Sequence, residues 1–181
     1  AYLPLGLLTG FALGSLVLAP WQTTLTWYQH LVVFLAGLLL FTLAEYLVHR
    51  YAYHPPEFEE ERKHFLHFAH GFHHDHPRDP QHLAMPPLFS LLLSSLVLGI
   101  SYLLIGPWAF AFTAGFILGY AIYLLIHYIL HVYSPPENRF KYLWQHHAIH
   151  HFHDDTVAYG VSSPLWDIIF GTMPKRKKKA T

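Results

Sequence analysis

Apolar residues fall along this chain in long unbroken runs, not in a one-sided helical stripe or a strand-like alternation. Four runs, Leu3–Ala19, Trp27–Val48, Leu88–Ile105 and Trp108–Leu130, match or approach the roughly 17–25 residues that cross a bilayer. The first and third are short, so tilting or local thinning is expected. The connections Pro20–Thr26 and Gly106–Pro107 carry no charge, and Trp21, Trp27 and Trp108 suit the membrane–water boundary. The pattern predicts two hairpins. Every Lys and Arg falls on the opposite side, in the segment holding Arg50, Arg62, Lys63 and Arg78 or in the one running from Arg139 and Lys141 to Lys175–Lys179. The excess of basic residues on that side places it, and both termini, in the cytoplasm. Only His30 lies near the far face.

The polar stretches repeat as well. Glu57–His74 has helical composition after Pro55-Pro56, with Glu57, Glu59, Glu60 and Glu61 near its start. Arg139–Phe152 repeats the pattern after Pro135-Pro136. Both are expected as helices over the cytoplasmic ends of the spans. The fold class is therefore an all-α integral membrane protein, its four transmembrane helices paired as two hairpins under a His-rich helical cap. The single domain, 1–181, divides into hairpin 1 (1–54), cytoplasmic His-rich helices (55–87), hairpin 2 (88–131) and a His-rich cap with basic tail (132–181). The two halves read as a parallel duplication.

Composition agrees with this picture. Of 181 residues, 53% are hydrophobic, 17% aromatic and only 12% charged. The formal charge is zero, so nothing attracts nucleic acid in bulk. Ala1 begins inside an apolar run without a basic n-region, which reads as a membrane helix trimmed at its start, not as a signal peptide. The Lys175–Lys179 strip suits anionic lipid heads, and Lys178-Lys179-Ala180-Thr181 fits a dilysine endoplasmic-reticulum retrieval signal. The absence of cysteine excludes disulfides, thiolate nucleophiles, iron–sulfur clusters and Cys-type zinc sites. No His-Glu-x-x-His, nucleophile elbow, phosphate loop or dinucleotide fingerprint is present.

What remains is histidine, seventeen of them. The first half reads His49 and His54, then Pro55-Pro56-Glu57, then His70, His73 and His74. The second reads His127 and His131, then Pro135-Pro136-Glu137, then His147, His150 and His151. His127 and His131 share a helix face, and each His-x-x-His-His triplet does the same, with Gly71 allowing close backbone approach. His49 and His54 would diverge on a continuous helix; Pro55 disfavours helical geometry at His54, which is expected to swing back from a terminated helix. Ten imidazoles from four helix ends match two metals with about five nitrogens each, a donor set that suits zinc, iron, copper or nickel. The spacing leaves open which ring serves which ion. The ferritin-like Glu-x-x-His pattern is missing.

Glu45, the one acid in a membrane run, is expected to orient a ligand; direct metal contact and a bond to a neighbouring helix stay open. Asp75, Asp154 and Asp155 adjoin the triplets and could accept imidazole N–H bonds. His67 is a further candidate beside the centre. His64, His76, His82, His146 and His153 are expected to face solvent or flank the ligands. Phe41, Tyr46, Tyr120 and Tyr123 are candidates to line a greasy substrate channel.

These motifs resemble the fatty acid hydroxylase superfamily, and most closely the catalytic domain of fatty acid (sphingolipid) 2-hydroxylases. The likeness rests on His49-Arg50-Tyr51 with His54, His70-Gly71-Phe72-His73-His74 with Pro77, Asp79 and Met85-Pro86-Pro87, and Gly119-Tyr120 through His127 and His131. It ends with His147-Ala148-Ile149-His150-His151, Gly160-Val161-Ser162-Ser163-Pro164-Leu165-Trp166-Asp167 and Phe170-Gly171-Thr172. Two positions depart from the family: Leu124 stands where an acid is usual and Val132 where a histidine is usual. The resemblance implies two ferrous ions held by neutral imidazoles, O2 as oxidant, and oxygen insertion at C2 of a free or ceramide-linked acyl chain. Ligands at lipid-carbonyl depth suit that carbon. Zinc could replace iron in a purified sample. It also implies an electron donor on a separate chain, such as cytochrome b5 or a reductase, and residence in the endoplasmic reticulum or a bacterial inner membrane. Sterol desaturation or carotenoid hydroxylation is the sibling alternative. Metal transport or storage without catalysis is the alternative of another class, although mid-bilayer ligands are missing.

Overall fold

The computed structural model describes residues 2–54, 65–77, 79 and 83–175, and among them the chain is helical without strands. Helix α1 spans Tyr2–Gln22 and α2 spans Trp27–Leu47. A π-helical turn, Val48–Tyr53, prolongs α2. Helix α3 covers Phe65–Asp75, α4 Pro87–Ile105, α5 Ala109–Val132, α6 Lys141–Phe152 and α7 Leu165–Phe170. Three stretches are long and apolar enough to cross a membrane: Tyr2–Gln22, Trp27–Tyr53 and Pro87–Val132. In such a medium a helix is favoured because it satisfies its own backbone N–H and C=O groups. The protein is thus a multi-pass membrane protein.

The third stretch is interrupted at Gly106–Trp108, a 3-10 turn. Gly106 holds φ at +60°, a region that favours glycine, and Pro107 follows it. This separates α4 from α5, and the two then pack against each other. Between the first two helices α1 runs on through Pro20, so the connection shrinks to residues 23–26. His30 ties it down, with Thr23 Oγ1 at 3.0 Å from Nε2 and the Thr26 carbonyl at 3.1 Å from Nδ1.

Helix α5 is the centre of the bundle. Its buried positions are mostly small, including Ala111, Thr113, Ala114, Gly115, Gly119 and Ala121, so α1, α2 and α4 can close around it. Gly37 and Gly115 make the α2–α5 crossing reciprocal. A Cβ at Gly37 would overlap the Phe112 carbonyl oxygen, and one at Gly115 the Phe34 carbonyl oxygen. Backbone meets backbone there, the close approach that small residues permit between membrane helices. The outer faces of α1, α2 and α4 expose Leu13, Val17, Val32, Leu39, Leu96 and Leu103, as a lipid-facing surface should.

Both histidine-bearing spans, α2 and α5, end beside the short polar helices. Helix α3 packs on the π turn, α6 on α5 and α7 on α2. The expected beginning of the first polar helix at Glu57, the side chains of His64 and His67, His82, the bases Arg62, Lys63 and Arg78, and Arg176–Lys179 lie outside the described residues. Helix α7 was not apparent from the sequence pattern.

Candidate metal centre

The π turn adds to the expectation for His49 and His54. The helix ends at Tyr53, before His54, but it widens first, and His54 N–H bonds to the His49 carbonyl at 3.2 Å. Widening to an i→i+5 pattern stacks residues that a regular helix would splay. His54 then leaves helical geometry at φ −124°, and its ring centroid lies 5.3 Å from that of His49. Helix α5 stays regular, and its pair at i, i+4 brings Nε2 of His127 and His131 to 3.1 Å.

The ten rings converge as two groups of five. His49, His54, His70, His74 and His150 form the first; His73, His127, His131, His147 and His151 form the second. Within each group one nitrogen per ring lies within 4.8 Å of all the others. The triplets are therefore divided, where their shared helix face had suggested a single direction. In α3, His70 and His74 join the first group and His73 the second; in α6, His147 and His151 join the second and His150 the first. Each polar helix gives its i, i+4 pair to one group and the intervening histidine to the other. The groups touch, with the His74 and His151 rings stacked at 4.2 Å.

Hydrogen bonding alone leaves these rings poorly satisfied. Nε2 of His70 faces Nε2 of His49 at 3.1 Å and of His74 at 3.0 Å. Nε2 of His131 faces those of His127 and His147 at 3.1 and 2.7 Å. His49 and His150 spend their Nδ1–H on the carbonyls of Tyr159 (2.5 Å) and Val157 (2.8 Å), which leaves each Nε2 as a bare lone pair aimed inward. Both nitrogens of His73 and His151, and Nδ1 of His147, are buried with no hydrogen-bond partner. Each such atom costs about 1–3 kcal/mol. Metal ions would remove the conflict, because two imidazole nitrogens each about 2.1 Å from one ion and at right angles lie about 3 Å apart. The residues fit metal.

Electrostatics point the same way. Burial, reinforced by repulsion between neighbouring imidazoles, holds His70, His74, His147 and His151 well below the ordinary histidine range, and brings His73 to about 3. His150 is lowered for the same first reason. Neutral imidazole is the ligating form.

The surrounding polar groups differ from expectation. Glu45 accepts from Val161 N–H at 2.8 Å, Ser162 N–H at 2.9 Å and the Ser162 hydroxyl, so its hold on the rings runs through that segment's backbone. Asp154 accepts from the Thr156 N–H and hydroxyl instead of an imidazole. Asp155 is the acid nearest a ligand candidate, 3.7 Å from Nδ1 of His54. Asp75 is exposed at the end of α3, and His76 and His153 are exposed too.

His146, expected to face solvent or flank the ligands, is buried with Nε2 3.0 Å from Asp167. Fully buried Asp167 also accepts from the N–H groups of Tyr159 (2.9 Å) and Gly160 (2.8 Å) and from the Thr172 hydroxyl (2.7 Å). It therefore fixes the residue whose carbonyl holds His49. A lone acid inside the apolar run Leu165–Phe170 was the available signal.

The candidate channel tyrosines, for which ordinary helix packing was the alternative, make packing contacts. Tyr46 is fully buried, stacked on Phe170 at 5.2 Å and hydrogen-bonded to Thr172 and Arg50. Tyr120 packs with Phe41 in the bundle core, and Tyr123 stacks on His127 at 5.4 Å. A cavity of about 360 Å³ lies between α1 and α5 along Leu5, Leu83, Leu124, Tyr128 and Ile129.

Fold and site together define a helical membrane protein with a paired all-histidine centre. Comparison with known proteins narrows this. The pattern of the fatty acid hydroxylase family matches residues 34–172, and the chain belongs to that family. It is 37% identical over 159 residues to dihydroceramide fatty acyl 2-hydroxylase FAH2 of Arabidopsis thaliana, covering 86% of this chain and 66% of that protein. It is 40% identical over 153 residues to fatty acid 2-hydroxylase of Homo sapiens, covering 80% and 40%. A solved structure of full-length scs7p, with only its hydroxylase domain visible, aligns at a TM-score of 0.80 and 30% identity, over 91% of this chain and 62% of the other. The chain thus spans between two fifths and two thirds of these relatives' lengths.

Proposed function

We propose that this chain is a di-metal lipid oxygenase that places one oxygen atom from O2 on C2 of a fatty acyl chain, free or ceramide-linked. The observation that carries the reading is the pair of adjoining five-imidazole groups at the ends of membrane helices. The names of the relatives supply the reaction and the carbon. All ten histidines are assigned as ligands, with iron as the working metal and zinc able to occupy the same nitrogens. The bound ions would supply O2 activation and the oxidising power.

The chain's own residues prepare the site. Burial keeps the imidazoles neutral, and the carbonyls of Tyr159 and Val157 fix the tautomer of His49 and His150. Glu45 and Asp167 hold the segment that carries Tyr159. Apolar helix faces receive the acyl tail and keep water out. The second oxygen atom leaves as water, with two electrons from a reductant and two protons.

The finer topology is part of the same reading: four spans in two hairpins, α4 and α5 being the second, and the polar helices as a cytoplasmic cap. The basic residues of the described segments, among them Arg50, Arg139, Lys141 and Lys175, support that sidedness. Hairpin 1, the first His-rich segment, hairpin 2 and the second His-rich segment act as one domain. Ligands at helix ends, not at mid-bilayer, argue against transport.

The test is aerobic turnover of iron-reconstituted protein with a supplied reductant, on ceramide and free fatty acid, read by product mass spectrometry. A 2-hydroxy product is expected from the native chain and none from His150→Ala/His151→Ala. Equal product from both, with metal retained, would refute the proposal.

A further inference from the structure

A cavity of about 250 Å³ lies where α6 meets the end of α5 and the loop after it. Three imidazoles of the second group, His131, His147 and His151, border it directly. Leu130, Pro135, Trp144, Ala148 and Phe152 form the rest of the wall with the amide of Gln145, and no Asp, Glu, Lys or Arg lines it. The Trp144 indole N–H is already engaged by the Tyr133 carbonyl at 2.9 Å, so that wall presents an apolar face.

Both groups are buried to a similar degree, but two tyrosines lie over the first while three rings of the second border this cavity. Tyr159 lies against His49, His54 and His150 at ring-centroid distances of 5.7, 6.1 and 5.5 Å. Tyr53 stacks flat on His70 at 4.4 Å. The cavity is far larger than the roughly 30 Å³ share of one water molecule. An apolar lining favours a species that needs no charge partner.

We propose that this cavity is the port by which a small uncharged metal ligand, dioxygen in the proposed reaction, reaches the second group, so that the two metal positions are unequal. This rests on the di-metal reading above. Ala148 and Gln145 line the cavity from exposed positions on α6, where larger side chains can fill it without entering the bundle.

The probe is nitric oxide, an uncharged diatomic, added without oxygen to ferrous-loaded full-length protein. Association is followed by stopped-flow absorbance, with iron per chain measured separately. Ala148→Leu and Gln145→Phe should each slow association about tenfold or more with iron unchanged, placing the barrier on the approach. Leu103→Phe, on the exposed face of α4, should match the native rate. Unchanged rates in both filled variants with iron retained would overturn the port. So would loss of iron from both, since the wall would then be structural. A native chain that takes up no iron would overturn the di-metal reading itself, an outcome distinct from either.

Discussion

In the first histidine group the rings are gripped from outside. His49 and His150 each donate to a backbone carbonyl, and the segment carrying those carbonyls is pinned by Asp167 and Glu45. In the second group no carbonyl or acid takes that part for His73, His147 or His151 among the described residues; their free nitrogens simply face one another. Yet the inner construction is the same: a helix-end pair, an i, i+4 pair from one polar helix and a single histidine from the other. Each group even has one stacked tyrosine, Tyr53 on His70 and Tyr123 on His127. The repeat sets the ligand positions, while the chain after α6 stiffens only the first group.

The crossed assignment of neighbouring histidines is the feature most open to a decisive break. His70→Ala/His74→Ala removes two ligands from the first group and none from the second. His73→Ala/His74→Ala removes one from each. The first pair should leave about one tightly held ion per chain; the second should weaken both sites together, by about 10- to 100-fold in affinity or more. Both should abolish turnover. Equal metal retention by the two double variants would mean that the groups are not separate sites.

Acid should empty both sites. In the folded chain His73 is neutral down to about pH 3, and His70 and His147 are also held low, chiefly by burial. An unfolded histidine takes its proton near pH 6.5. Between those limits the unfolded state binds more protons, so stability rises with pH. The contribution is fully present above about pH 6.5 and is lost as pH falls towards 3. Metal binding adds to this, because it too needs neutral rings. Thermal unfolding of metal-free protein at pH 7 and at pH 5 checks the sign: a higher midpoint at pH 5 would contradict the buried, neutral cluster.

Asp167→Asn separates the two groups by their support. The carboxylate accepts four hydrogen bonds in a fully buried position. Asparagine keeps the shape, but its amide nitrogen must face at least one donor. Metal affinity of the first group should fall about 10- to 100-fold, with the second unchanged. Titration with a chelator, followed by metal analysis, should then show two release steps where the native chain shows one closer pair.

The long apolar helices, the breaks between them and the ten converging histidines were legible from local pattern. Apolar runs report burial in lipid directly, and helix periodicity reports shared faces. The division of each triplet was not read from the sequence: i+4 lies about 40° to one side of i and i+3 about 60° to the other, a divergence that matters only once two neighbouring groups compete for the rings. The π turn escaped for a related reason: His49 and His54 violate helical spacing, and Pro55 offered a simpler explanation than a widened turn. Asp167 and His146 were hidden because their role depends on a loop, 153–164, folding back over α2. For Tyr46 the sequence left channel lining and packing both open, because membrane aromatics share composition whether they line a cavity or fill one.

The smallest effect expected from altering the first group's outer support is at Asp155. Its carboxylate lies 3.7 Å from Nδ1 of His54, beyond a normal hydrogen bond, and its side chain is 63% exposed. Exposed ion pairs contribute little because water and salt screen them. Asp155→Asn should therefore change first-group metal affinity by less than about threefold, against the much larger loss at Asp167. Raising salt from low to physiological strength should erase even that difference. If Asp155→Asn instead matched Asp167→Asn in metal release, the support of the first group would be electrostatic at its rim, not a buried hydrogen-bond frame, and its contrast with the second group would need a different cause.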